Sequence, residues 1–258
     1  MCGIFGLLLK ENTNYSLPLL KSVTDNLFIL SASRGKEAAG IAILSKGELS
    51  IHKQNIIGTR FIRTKIYNEL FNNLLNVQCN ALIREPIAIM GHNRLATNGT
   101  QLDNNNNSPI ICDSVVGVHN GIIVNEEKLV KDFSLIRKGV TDSELIFSLL
   151  NLLINNGLSS ISVTQAVFNK IQGSASIAAF VSGGDTLILA TNTGSLYTCK
   201  NKREDLYIFA SESYILEKLI RKLRLEPIIG QYIISQLKAG SGCLIDLRKQ
   251  TEQKFNLN

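Results

Sequence analysis

Short apolar runs that do not alternate with polar residues recur along this chain, and they restrict its fold more than any other feature. "GIFGLLL" at 3 to 9, "AGIAILS" at 39 to 45, the stretches 86 to 93 and 114 to 119, "SASIAAFVS" at 174 to 182 and "DTLILAT" at 185 to 191 all have strand length. Most are apolar on both faces, and such a strand needs cover on both sides. Helical patterns supply candidates for that cover. The stretch from Ser16 reads as a helix, with Ser16 as its cap, Pro18 in the first turn and Gly35 following the end. Further helices are predicted over 59 to 75, 126 to 136, 142 to 155, 161 to 171 and 213 to 224.

Additional strands are predicted at 48 to 54, 195 to 200, 206 to 211, 228 to 237 and 241 to 248. Lys46-Gly47 joins the 39 to 45 and 48 to 54 strands as a hairpin, and turn signals fall at Gly183-Gly184 and at Asn192 to Gly194. Strands and helices come in runs and do not strictly alternate. This pattern predicts an α+β layered fold with mainly antiparallel sheets, not a doubly wound parallel one. The last two strands, from Ile228 onward, are expected to finish a sheet.

No linker or internal repeat divides the 258 residues, so a single domain over 2–258 is expected. An apolar share of 45% and a charged share of 19% fit a globular chain. The longest apolar run, "LIFSLLNLLI" at 145 to 154, falls short of the ~20 residues of a membrane helix, so no membrane span is predicted. The net charge is +6, and basic residues concentrate at 200 to 205 and 217 to 226. In the second stretch Leu216, Leu219, Ile220 and Leu223 share one helical face, which leaves the Lys and Arg residues on a solvated one. Without interleaved aromatics this is no nucleic-acid footprint. Five cysteines (Cys2, Cys79, Cys112, Cys199, Cys243) lie far apart with no C-x-x-C pair. That argues against a zinc site and a disulfide framework, and for a reducing, cytoplasmic setting with no metal or cofactor.

Cys2 raises a separate question, because the terminus is where chains usually fray. The opening has no basic n-region and its apolar run ends at Lys10, so it is not a secretory signal. Neither a myristoylation Gly nor a C-terminal prenylation box is present. Two readings remain: a small buried hydrophobe, or a nucleophile placed where a free α-amine can serve it.

Three segments carry polar residues at or just after the ends of apolar runs: "GHNRLATNG" (91–99), "GVHNGIIVNEEKL" (117–129) and "TDSELI" (141–146). Arg94, Asn120 and Asp142 stand out. Each alone has an ordinary explanation: a surface arginine, an Asn-Gly turn, and a helix cap formed by Asp142 with Thr141.

Together with the N-terminal Cys-Gly, these blocks resemble the type-2, N-terminal-nucleophile (class II) glutamine amidotransferase domain, the glutaminase domain of glucosamine-6-phosphate synthase and amidophosphoribosyltransferase. "CGIFG", "SRGKEAAGIAI", "GHNRLATNG", "VHNGIIVNEEKL" and "TDSELI" occur in the family's order, followed by the looser matches "IQGSASIAAF" and "FASES". The resemblance covers about residues 2 to 220. It implies a four-layer αββα sandwich and hydrolysis of L-glutamine to glutamate and ammonia through a Cys2 thioester. Removal of Met1 would free the Cys2 α-amine, whose reference pKa of about 8 suits a general base.

By the same resemblance, Asn120 and the Gly121 N–H form the oxyanion hole. Arg94 grips the substrate α-carboxylate with Thr97 alongside, and Asp142 pairs with the α-ammonium. Arg34, Gly40 and Asn98 support the pocket. Asn98 stands where the sugar-phosphate synthases usually carry His, Leu95 where they commonly carry Trp, and "NNNNSPI" loosely replaces an N-A-[HQ]-P segment. Those relatives continue into a synthase domain, whereas no synthase domain is expected in this sequence. A separate ammonia-accepting synthase subunit is therefore the expected partner. The alternatives are a free-standing glutaminase, a free-standing amidase of the same fold acting on another amide, and a non-catalytic glutamine-sensing module.

Overall fold

The first strand sets the layering. In β1 (Gly3–Leu9) every residue is buried. Phe5, Leu7 and Leu9 join one apolar cluster, while Ile4 and Leu8 join another on the opposite face. The computed structural model describes residues 2–78, 82–181, 186–247 and 251–258. Cys79 and the Gly183-Gly184 turn lie outside the described residues.

After β1 come β2 (Thr13–Ser16), α1 (Leu17–Ser31), the β3 (Ala38–Ser45) and β4 (Glu48–Gln54) hairpin, α2 (Gly58–Phe61), α3 (Lys65–Gln78), β5 (Leu82–Ile83) and β6 (Ile87–Arg94). A long loop with a single 3₁₀ turn (Asn104–Asn106) leads to β7 (Ile110–Cys112) and β8 (Val115–Ile123). Three helices follow, α4 (Glu126–Phe133), α5 (Asp142–Asn155) and α6 (Ser160–Lys170), then β9 (Gly173–Val181), β10 (Thr186–Thr191), β11 (Tyr197–Asn201) and β12 (Leu206–Ala210). The remainder comprises α7 (Ser213–Leu223), α8 (Glu226–Ile229), β13 (Tyr232–Gln236), β14 (Ser241–Asp246) and β15 (Thr251–Asn256).

Two sheets hold the architecture, one ordered β13-β11-β12-β1-β6-β3-β4 and the other β15-β14-β10-β9-β8-β7. Their pairings are antiparallel, as the unalternating element order implied. Ile4, Leu8, Ala42 and Met90 of the first sheet pack on Val116, Val118, Ala178 and Phe180 of the second. On the outer face of the first sheet, Phe5, Leu7 and Ile41 pack with Leu27 and Phe28 of α1, Tyr67 of α3 and Leu216 of α7. On the outer face of the second, Ala175 and Ile177 pack with Leu145 and Leu149 of α5 and Val163 of α6. The result is the four-layer αββα sandwich. Phe5 meets Phe28 edge-on at 4.8 Å, a geometry that adds about 0.5–1.5 kcal/mol beyond area burial and ties the N-terminal strand to α1.

Ser16 caps α1 as its sequence implied, its Oγ accepting the Leu19 N–H. The helix ends at Ser31, before Arg34. The single helix expected over 59–75 divides into α2 and α3, because Thr64 donates to the Phe61 carbonyl and accepts from the Tyr67 N–H, ending one helix and starting the next. With Pro227 in its first turn, α8 runs over Ile228 and Ile229, in the segment expected to be a strand from 228. The terminal strands do not finish one sheet: β13 pairs with β11 and β14 with β10, on opposite sheets. Sequence patterning missed β15, whose TEQKFN offers one large apolar residue, and the short β2, β5 and β7. Among the described residues no helix is long and apolar enough to cross a membrane.

Candidate active site

Cys2 immediately precedes β1. The register Gly3↔Asn93 brings the residue before β1 to the end of β6, beside Arg94 and Leu95. The Leu95 N–H donates to Cys2 Sγ at 3.4 Å, and the thiol donates to the Leu95 carbonyl at 3.5 Å. Burial pushes the thiol pKa up; the Leu95 N–H and the Arg94 charge oppose it, and the Asp142 charge adds to it. A thiol in this setting rests protonated and needs a base to become a nucleophile.

The main chain at Cys2 is held from a distance. Arg34 Nε donates to the Cys2 carbonyl at 2.9 Å, and the Arg34 guanidinium pairs with Glu212 at the start of α7. Ser211, fully buried, brackets the next turn of chain: its Oγ accepts the Ile4 N–H at 2.9 Å and donates to the Ile4 carbonyl at 3.1 Å. Tyr214 and Ser33 add a hydroxyl pair at 3.0 Å between α7 and the Arg34 turn. Sequence reading assigned Arg34 a supporting place but missed Ser211 and Glu212, although "FASES" had stood out as a block.

Asn120 and Gly121 sit near the end of β8, opposite Ser176 and Ala175 of β9. Asn120 is 3% exposed and its Oδ1 is buried without a partner. Gly121 has φ +154°, and a Cβ there would fall 1.9 Å from the Ser174 carbonyl, so no other residue fits. The preceding His119 is buried, with Nδ1 3.0 Å from Ser143 Oγ. Burial holds its pKa down against the pull of Asp142. His92 Nε2 lies 3.3 Å from the His119 carbonyl, joining the two sheets at the end where Arg94 and Asn120 emerge.

Arg94 and Asp142 are both 5% exposed. Arg94 Nη1 donates to Asn107 Oδ1 at 3.0 Å, and Nη2 donates to the carbonyls of Asn98 at 2.6 Å and Gly99 at 2.8 Å. Three of its five donors thus fold the 95–107 loop around the guanidinium, and Nη2 has no hydrogen left for a ligand. Asp142 opens α5; its Oδ2 accepts the Ile123 N–H at 2.8 Å, two residues past Gly121. Thr97 is exposed on the loop. Asn98 gives its carbonyl to Arg94, and its side chain donates to Glu126 Oε1 at 3.4 Å, while Glu126 pairs with Arg137 at 3.0 Å.

Gly40 lies in β3 opposite Lys53, level with Ile4 and separated from β1 by β6. A Cβ on it would come within 2.1 Å of the Ser108 carbonyl, so this glycine seats the loop that carries Asn107. Asn107, unrecognised within the asparagine run, is fully buried and accepts from Arg94. Among the described residues no three His, Cys, Asp or Glu side chains converge on a common metal position.

Comparison with known proteins gives this geometry a context. A family model described as a glutamine amidotransferase domain matches residues 92–218. The glutamine–fructose-6-phosphate aminotransferase of Bartonella henselae is 30% identical over 199 residues, covering 75% of this chain and 29% of that protein. The Bradyrhizobium diazoefficiens protein of the same name is 28% identical over 211 residues, covering 81% and 31%. This chain therefore spans about three-tenths of the length of these curated relatives. Among solved structures, the glutamine phosphoribosylpyrophosphate amidotransferase of B. subtilis shares the fold at TM-score 0.68 and 18% identity, over 100% of this chain and 49% of that one. A structure described as the allosteric regulatory enzyme of purine biosynthesis matches at TM-score 0.71, also at 18% identity. Residues 92–218 thus match the glutamine amidotransferase domain family, and the two-sheet sandwich around them is the fold of the amidotransferase structures named above.

Proposed function

We propose that residues 2–258 act as a single glutaminase domain that hydrolyses the side-chain amide of L-glutamine, with Cys2 as nucleophile. One observation carries the reading: two buried side chains of opposite charge belong to the site, Arg94 next in the chain to Leu95, whose N–H meets Cys2 Sγ at 3.4 Å, and Asp142, whose Oδ2 holds the Ile123 N–H two residues past Gly121. A substrate with a carboxylate and an ammonium on one carbon needs one cation and one anion held apart beside the reacting group. A neutral amide has no use for that pair.

On this reading Met1 is removed and the Cys2 α-amine takes the thiol proton. Sγ attacks the amide carbon, and the oxygen of the tetrahedral intermediate is met by the Asn120 side chain and the Gly121 N–H. Collapse breaks the C–N bond, the α-ammonium returns its proton to the leaving nitrogen, and ammonia departs from a Cys2 thioester. Water, deprotonated by the same amine, cleaves the thioester to glutamate and the free thiol. Arg94 supplies the positive charge for the α-carboxylate, Thr97 lies at the edge, and Asp142 holds the α-ammonium. Arg34 steadies Cys2, while Gly40 and Asn98 keep the Arg94 loop in place.

Ammonia in water is quickly protonated and lost as a nucleophile, so a synthase that consumes it, fused or in a separate subunit, completes the reading. Free thiols at Cys2, Cys112, Cys199 and Cys243 fit a cytoplasmic setting. The test is glutamate release from glutamine by Met1-free protein beside Cys2→Ala, with intact mass recorded. Turnover that depends on Cys2, with a glutamyl adduct on that residue, is expected. Equal turnover in Cys2→Ala would overturn the mechanism.

A further inference from the structure

The substrate cation of the proposed site is itself held by a second cation that lies outside it. Lys53, in β4 beside Gly40, donates from Nζ to the main-chain carbonyls of Asn107 at 2.7 Å and Pro109 at 3.0 Å. The Asn104 side chain returns a bond to the Lys53 carbonyl at 3.2 Å. Among the described residues no carboxylate pairs with this ammonium. Asp103, Cys112 and Glu144 act on it only from a distance, and burial draws its pKa down to about 8. A partly buried ammonium satisfied by carbonyls alone is a costly way to fill space.

What it grips explains its presence. Asn107 is fully buried and works as a hub: its carbonyl accepts from Lys53, its Oδ1 accepts from Arg94, and its Nδ2 donates to the Gln101 carbonyl and to Asn104 Oδ1. Gly40 leaves the space that lets the Ser108 main chain lie against the strand pair. A glycine admits the loop on one strand, and a lysine clamps it on the next.

Resting on the glutaminase reading above, we propose that Lys53 is a positioning residue for recognition of the substrate α-carboxylate: it fixes the Asn107–Pro109 segment, and through Asn107 it fixes the Arg94 guanidinium. Lys53 touches neither substrate nor thiol, so its loss weakens the grip on an α-amino acid and leaves the reacting group alone.

The test uses Met1-free protein with Lys53→Met, which keeps the apolar stem, and Lys53→Arg, which keeps the charge and the donors. Three readouts separate the possibilities: KM and kcat for glutamine, the rate at which iodoacetamide alkylates Cys2, and hydrogen exchange of the main chain over 98–109. In Lys53→Met the KM for glutamine is expected to rise roughly ten- to a hundredfold, the range of a lost charge-assisted hydrogen bond. The kcat should change less than about threefold, the uncharged iodoacetamide should react at the wild-type rate, and exchange over 98–109 should quicken while β1 and β6 stay protected. Lys53→Arg should restore most of the KM.

Unchanged exchange over 98–109 in Lys53→Met overturns the proposal, and so does quickened exchange with unchanged KM. A parallel fall in kcat and in alkylation overturns it as well, because the effect would then be on the nucleophile. If wild-type protein neither binds nor hydrolyses glutamine, the glutaminase reading falls by itself, and the exchange result alone decides whether Lys53 holds the Arg94 loop.

Discussion

Replacing Asn120 with alanine should separate catalysis from stability, and the structure supplies both magnitudes. If the carboxamide stabilises the oxyanion, its loss costs a hundred- to a thousandfold in turnover, about 2.7–4 kcal/mol of transition-state stabilisation. The stability side is different. Asn120 Oδ1 is already buried without a partner, a condition that costs about 1–3 kcal/mol in the folded state. Alanine removes that orphan acceptor and leaves a small cavity whose cost is of similar size, so the net change in unfolding free energy should stay within about 1 kcal/mol.

Asn151→Ala provides the contrast. Asn151 is also buried, but its Oδ1 accepts from Ser114 N–H at 3.2 Å and Ser114 Oγ at 2.6 Å, towards the end of α5 and just before β8, whereas Asp142 opens α5 and Asn120 sits near the end of β8. That variant should lose about 1–3 kcal/mol of stability and keep its activity. Denaturant unfolding and kcat for glutamate release, measured on both variants, give opposite patterns if the assignment is right. An Asn120→Ala protein with less than a tenfold loss in kcat refutes the oxyanion role. A loss of activity accompanied by more than about 2 kcal/mol of destabilisation refutes the energetic reasoning.

Two further outcomes follow from the supports around the site. Glu212→Gln removes the charge that faces Arg34 and should lower kcat about tenfold with KM for glutamine unchanged, because Arg34 holds the Cys2 carbonyl and not the substrate clamp; a rise in KM alone would contradict this. His92 is buried, and burial drives its pKa down to about 3, while an unfolded histidine titrates near 6.5. Below pH 6.5 the unfolded chain therefore binds the proton first, and stability falls as pH drops from 6.5 towards 3. The His92 share is about 2 kcal/mol between pH 7 and pH 5. Urea unfolding at those two pH values, compared with His92→Gln, measures it, and an equal decline in the variant refutes it.

The layered fold was legible because burial on both faces writes itself into composition: "GIFGLLL" and "SASIAAFVS" have no polar face to turn outward, and both lie in sheets covered on each side. Boundaries were legible only where a side chain announces them. Ser16 at the start of α1 does so. Thr64, which divides α2 from α3, does not, because a threonine inside an amphipathic run looks the same whether it continues a helix or caps the next. Sheet membership of the terminal strands was hidden for a related reason. Alternation tells which face is buried but not which partner covers it, and β13 and β14 found partners on opposite sheets.

The site shows the same division between chemistry and support. Cys2, Arg94 and Asn120 lie at or beside the ends of apolar strands and Asp142 opens a helix, and all four are polar types whose cost of burial makes them conspicuous. Asn107, Ser211 and Lys53 are ordinary polar residues whose contribution depends on which main-chain groups they meet, and that depends on the closed fold. Arg94 shows why the distinction matters for specificity. With Nη2 saturated by the Asn98 and Gly99 carbonyls and Nη1 tied to Asn107, its orientation is a property of the loop as much as of the arginine. On the proposed glutaminase reading, discrimination for an α-amino acid rests on a hydrogen-bonded circuit running from Lys53 through Asn107 to Arg94. A substitution in "NNNNSPI", which looks like interchangeable loop, is therefore able to alter substrate affinity without touching any residue that meets substrate.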